Sequence, residues 1–189
     1  AQDAMLLYAR VEEYFPKSPL AGEALYRAAD VRWQIEKEDV MRRPSAKQSD
    51  PEMRGQIEEQ YMKRVMKKFP RSKWADLAAF SLIDNKLCGD WQGRSKCPEK
   101  ESDIYEKYAE EHPQSPKAAE ALYEAAWRQS NLIEIYKTEN QPGKSAQAKS
   151  RGMALAQKIA SQFAQSDWEP RARRLAYMME QGIPTYGNV

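Results

Sequence analysis

Apolar residues in this chain recur three and four apart, the spacing that lines one face of an α-helix, and the runs come in pairs. The first member of each pair carries Leu7, Tyr8, Val11 and Phe15; Tyr61, Met62, Val65 and Phe69; Ile104, Tyr105, Tyr108 and Ala109; or Leu155, Ala156, Ile159 and Phe163. The second is built on small residues: Ala21, Ala24 and Ala28; Ala75, Ala78 and Leu82; Ala118, Ala121 and Ala125; Ala172 and Ala176. Alanines at these intervals leave a shallow groove into which a larger-sided helix fits closely, so core packing accounts for the stripes.

Between the two runs stands a corner written almost identically four times: Phe15-Pro16-Lys17-Ser18, Phe69-Pro70-Arg71-Ser72, His112-Pro113-Gln114-Ser115 and Phe163-Ala164-Gln165-Ser166. Proline cannot continue the hydrogen-bond ladder of the first helix, and the serine two residues later is suited to cap the next. A repeated unit has to bury one face against its copies. The pattern therefore predicts one all-α domain over 1–181, built of about four antiparallel helix pairs at roughly 3–42, 51–88, 99–139 and 145–181. The stretch from Gly182 to Gly187 breaks the periodicity, so 182–189 reads as an irregular tail, either docked on the last pair or hanging free.

Composition narrows the function more than the fold. Thirty basic against 28 acidic residues leave a net charge of +2, too small for a general nucleic-acid or anionic-membrane binder. No apolar run approaches the roughly 20 residues that span a bilayer. Ala1 stands where Met is usual, so the start reads as a processed or trimmed end. The only cysteines, Cys88 and Cys97, flank a glycine-containing polar loop. A disulfide there would stabilise by about 2 to 3 kcal/mol through loop entropy. Two free thiols are the alternative, and a metal or redox site a third, although zinc would need four ligands and a tighter cysteine spacing.

The corner Phe15-Pro16-Lys17-Ser18-Pro19-Leu20-Ala21, with Ala24, Leu25 and Ala28 after it, is echoed from His112 to Ala125. In these residues the chain resembles the tetratricopeptide family, within it the long-helix type of the outer-membrane β-barrel assembly lipoproteins and periplasmic cell-division coordinators. The resemblance covers about residues 5–181. It implies a right-handed α-α superhelix and a protein-interaction role in a bacterial envelope, periplasmic or associated with the outer membrane, with outer-membrane assembly components among the partners. Membrane association would come only through a partner or a lipid anchor outside this sequence. Copy four departs from the pattern: it lacks the corner proline and places Glu169-Pro170 where small residues are expected, which suits a capping unit.

No catalytic constellation or cofactor motif is present, and the sole histidine, His112, fills a corner position that is Phe elsewhere. The chain reads as non-catalytic. Two features are candidate partner surfaces. One is the basic run Lys63, Arg64, Lys67, Lys68, Arg71 and Lys73, for which solvated helix surface is the plain alternative. The other is Trp74 with its counterpart Trp168, either anchors for a partner or packing between pairs. First helices usually line the concave side of such solenoids, so the groove candidates are Arg10, Glu13, Lys63, Lys67, Glu106 and Glu110, with Trp74 beside them. A protein or peptide partner, no nucleic acid and no cofactor follow from this reading. An adaptor of the same fold in another compartment, or a glycan- or nutrient-binding solenoid using exposed tryptophans, are the alternatives.

Overall fold

The four corners organise the structure, a computed structural model that describes residues 2–186. At each one the first helix ends the same way. The backbone N–H of Phe15, Phe69, His112 and Phe163 donates to the carbonyl four residues back, on Val11, Val65, Tyr108 and Ile159, at 2.8–2.9 Å. The chain then turns into the second helix. The eight α-helices among the described residues are α1 (Gln2–Tyr14), α2 (Ala21–Arg42), α3 (Gln60–Lys68), α4 (Lys73–Ser81), α5 (Lys96–Glu111), α6 (Ala118–Thr138), α7 (Pro142–Gln162) and α8 (Glu169–Gln181). No strand occurs among the described residues. Among the described residues no helix is long and apolar enough to cross a membrane.

The serines differ from expectation at three corners. Only Ser72 is an N-cap, with its Oγ accepting from Ala75 N–H at 3.2 Å and α4 starting at the next residue. Ser18 and Ser115 precede Pro19 and Pro116, whose fixed φ suits the second position of a β-turn. Those turns close through Ala21 N–H to the Ser18 carbonyl and Ala118 N–H to the Ser115 carbonyl, both at 3.0 Å. The serine hydroxyls accept from Leu20 and Lys117 N–H inside the turn, and the helices start only after it. Copy four closes the same turn from Glu169 to Ser166 without a proline.

Residues 1–89 and 90–189 form two compact units. In the first, α1 packs on α2, and α3 packs on both α4 and α2. Leu25, Tyr26, Ala29 and Trp33 of α2 form the core with Met62 and Val65 of α3 and Ala78 of α4. Trp33 is buried, and its indole N–H donates to Asp84 Oδ2 at 3.1 Å, where Lys37 also bonds at 2.7 Å. The linker before α3 is pinned by side chains in place of helix contacts. Asn85 donates to the Ile57 carbonyl and accepts from Ile57 N–H, and Arg54 Nη1 donates to the Leu87 carbonyl at 2.7 Å. Gly89 N–H reaches the Gln48 carbonyl at 2.8 Å. A Cβ on Gly89 would stand 1.9 Å from the Ala46 carbonyl oxygen, so only glycine fits there.

The apolar stripe of α1 is not core throughout. Leu7 and Phe15 are 63% and 65% exposed, and Leu6, Tyr14 and Leu20 are exposed beside them. The stripes of α3 and α7 each lie against the second helix that precedes them, α2 and α6, whereas α1 has chiefly the following helix α2 to pack on.

In the second unit α6 is the central element, packed on α5, α7 and α8. Leu122, Ala125, Ala126, Leu132 and Ile135 of α6 are buried with Leu155 and Ile159 of α7 and Leu175 and Met179 of α8. Beyond α8, Gly182 takes the left-handed conformation that ends helices, φ 67°. The tail then docks on α6. Thr185 Oγ1 bonds Asn131 Oδ1 at 2.9 Å and Ser130 Oγ at 2.8 Å, and the Tyr186 ring stacks on Trp91. The last three residues of the expected tail, 187–189, lie outside the described residues.

Candidate functional site

Helix geometry fixes where the first-helix candidates go. Arg10 and Glu13 of α1, Lys67 of α3 and Glu110 of α5 are exposed, with no ion pair among the described residues. Lys63 is engaged, bonded to Glu59 one turn back at 2.8 Å, and the facing carboxylate raises its pKa through that bond and its charge. Glu106 is engaged as well, held by Arg151 Nε of α7 at 3.0 Å. The basic run on α3 is therefore largely spoken for. Glu12, buried on α1, accepts from Arg64 at 2.9 Å and from Lys68, so the two cations tie α3 to α1. Trp74 is half-buried: its ring lies on Tyr26 with centroids 5.7 Å apart, and it sits so close to Gly22 that a Cβ there would be 2.9 Å from Trp74 Cδ1. His112 lies against Tyr108, 4.7 Å between centroids, as a corner ring.

Both cysteines are disulfide-bonded. Between them in the sequence, Gln92 and Gly93 take left-handed φ of 51° and 66°, and Asp90 Oδ1 accepts from Gln92 N–H at 2.8 Å. This turn aims Trp91 at α5 and α6. Its indole N–H donates to Glu101 Oε1 at 3.2 Å, and its ring meets Trp127 at 5.4 Å. Glu101 and Arg128 form a buried ion pair, Nε to Oε2 2.7 Å, and Arg128 Nη1 also bonds Glu124 at 2.6 Å. Burial alone would lower the Arg128 pKa; the facing Tyr105, Glu101 and Glu124 outweigh it and hold the guanidinium above its ordinary range. A charge this well partnered is a structural clasp, with nothing directed at solvent.

Two concave features remain in the second unit. A groove of about 420 Å³ runs between α5 and α7 over α6, lined by Glu99, Asp103, Gln129, Tyr136, Lys144 and Arg151. Its charges satisfy one another: Tyr136 and Lys144 bond Glu99, while Arg151 bonds Asp103 at 2.7 Å together with Glu106. The other is a pocket of about 320 Å³ between α6, α8 and the docked tail, lined by Tyr123, Trp127, Arg171, Arg174, Met178 and Thr185. Arg171 and Arg174 make no ion pair among the described residues, although Arg173 between them is bonded to Glu169. Burial and the nearby Glu124 raise the Tyr123 pKa, against the pull of the same two arginines.

Neither a protein-family model nor a curated protein matches the chain. The reading of function therefore rests on the geometry. Among the described residues no cluster of His, Cys, Asp and Glu could hold a metal ion. Sequence reasoning passed over the pocket because it looked to the first helices, and these residues come from α6, α8 and the tail. A signal was available. Arg173 has an acid one turn back at Glu169, but the residues four before and after Arg174 are Pro170 and Met178, so no helical neighbour neutralises it.

Proposed function

We propose that this chain is a non-catalytic protein-interaction scaffold of the tetratricopeptide type, a right-handed superhelix of four helix pairs. It works in the bacterial envelope, in outer-membrane protein assembly or envelope maintenance. The observation that carries the reading is the first-helix end that the four corners share, each closing on the same backbone bond before the chain turns into a second helix lined with small residues. A repeated helix pair presents a repetitive surface, and a pre-formed surface spares most of the ordering entropy of binding. The exposed Arg10, Glu13, Lys67 and Glu110 on first helices, in no ion pair among the described residues, supply polar contacts for such a segment. The disulfide-bonded cysteines support an oxidising compartment.

Photo-crosslinking in cells, with the crosslinker placed at Lys67 or Glu110, tests the reading. Recovery of β-barrel insertion or other envelope components supports it. Recovery of soluble cytosolic proteins alone would overturn the envelope assignment, and absence of any protein adduct from every first-helix position would overturn the scaffold itself.

A further inference from the structure

The pocket between α6, α8 and the tail has the chemistry of a recognition site. We infer that it receives an acidic side chain carried next to an aromatic one on a protein partner. The inference rests on the interaction-scaffold reading and names the partner chemistry of a surface that reading leaves unspecified.

Charge is the first argument. Arg171 and Arg174 line the pocket with no ion pair among the described residues, while Glu169 is taken by Arg173, Glu124 by Arg128 and Glu120 by Lys117. Two guanidinium groups lining one cavity give it a positive charge that favours an anion. Arg171 is also pre-positioned, its guanidinium carbon 4.8 Å from the centre of the Trp168 ring. Stacking occupies the face of a guanidinium and leaves its edge, where the donors are, free for a carboxylate.

Shape and wall chemistry are the second. Tyr123 and Trp127 make one wall and Leu175 and Met178 another, so an anion bound to the arginines would carry its neighbour against aromatic and thioether surface. At about 320 Å³ the cavity is at the small end of ligand pockets, with room for one or two side chains. A bare phosphate would leave the apolar walls uncovered. Thr185 completes the rim, and its bonds to Ser130 and Asn131 fix that edge before any ligand arrives.

The test is selection of a displayed random heptapeptide library on the full chain, followed by titration of the enriched peptides. The expected result is enrichment of Asp or Glu adjacent to Phe, Tyr or Trp. Affinity should fall about tenfold or more in Arg171→Gln/Arg174→Gln, fall with added salt, and be unchanged in Arg173→Gln, whose side chain is paired outside the pocket. Glutamine keeps the helix propensity of α8, and circular dichroism of each variant checks its fold. Enriched peptides that lack acids, or that bind the double variant as well as the parent, would overturn this inference and leave the scaffold reading standing. No enrichment at all would overturn both. Displacement of the peptide by millimolar inorganic phosphate, or by vesicles containing phosphatidylglycerol, would reassign the pocket to phosphate and overturn the peptide.

Discussion

Replacing Glu101 with leucine should loosen the second unit by about 3 kcal/mol, because it orphans one buried and one half-buried donor at once. The Glu101 carboxylate accepts Arg128 Nε–H at 2.7 Å and the Trp91 indole N–H at 3.2 Å, and both charged side chains are almost wholly buried. Each donor left without an acceptor costs about 1–3 kcal/mol, and breaking a buried ion pair from one side costs about 3–5. The Glu124 carboxylate stays on Arg128 Nη1, part-exposed, which offsets some of the charge and puts the expectation at the lower end. Arg128→Met should cost a similar amount. The double variant Glu101→Leu/Arg128→Met removes both charges and restores apolar contact, so it should cost at least about 2 kcal/mol less than the sum of the single changes.

Hydrogen exchange of the α5 and α6 amides reads this directly, since those helices carry the pair and report the second unit separately from the first. The Trp91 loop and the docked tail should open with it, because Trp91 is bonded to Glu101 and stacked on Tyr186. If Glu101→Leu costs less than about 1 kcal/mol, or if the two single changes simply add, the pair is not the clasp that its geometry describes.

Three further outcomes follow from the first and second units. Burial, with Asp30 nearby, pushes the Tyr26 pKa up to about 12 from 10.0, so its contribution is intact below pH 10 and lost as pH rises toward 12; stability measured by urea midpoint should fall there by at most about 2 kcal/mol more than in Tyr26→Phe, and parallel curves would refute the assignment. Gly89→Ala, whose new Cβ would meet the Ala46 carbonyl at 1.9 Å, should lower the melting temperature by several degrees, whereas Gly143→Ala, with open space around it on α7, should raise stability by about 0.5–1 kcal/mol. Glu12→Gln should cost about 1–2 kcal/mol in thermal melts at low salt, less at high salt, because Arg64 and Lys68 lose the buried carboxylate they share but are themselves half in water.

How much of this was legible in the sequence depends on the range of the interaction. Helix ends at Phe15, Phe69, His112 and Phe163 are local events, set by side-chain periodicity and the corner residues, and they stand where the pattern placed them. The serine that caps only at Ser72 shows the limit even there: at Ser18, Ser115 and Ser166 a β-turn closes before the second helix begins, with or without a proline after the serine. Charges were harder to place because pairing crosses helices. Lys63, Arg64 and Lys68 look alike as a basic run, yet one bonds its own helix and two reach the buried Glu12 some fifty residues away. The same reasoning in reverse points to the pocket. A cation on a helix is usually neutralised one turn away, so an arginine without such a neighbour is either solvated or waiting for an acid from elsewhere. Arg174 has neither helical acid nor cross-helix partner among the described residues, and the tail fixed by Thr185 rims the cavity it lines. That edge is held by the two hydroxyl bonds of Thr185 and by the Tyr186 ring stacked on Trp91, so the tail ties the rim of the pocket to the Trp91 loop.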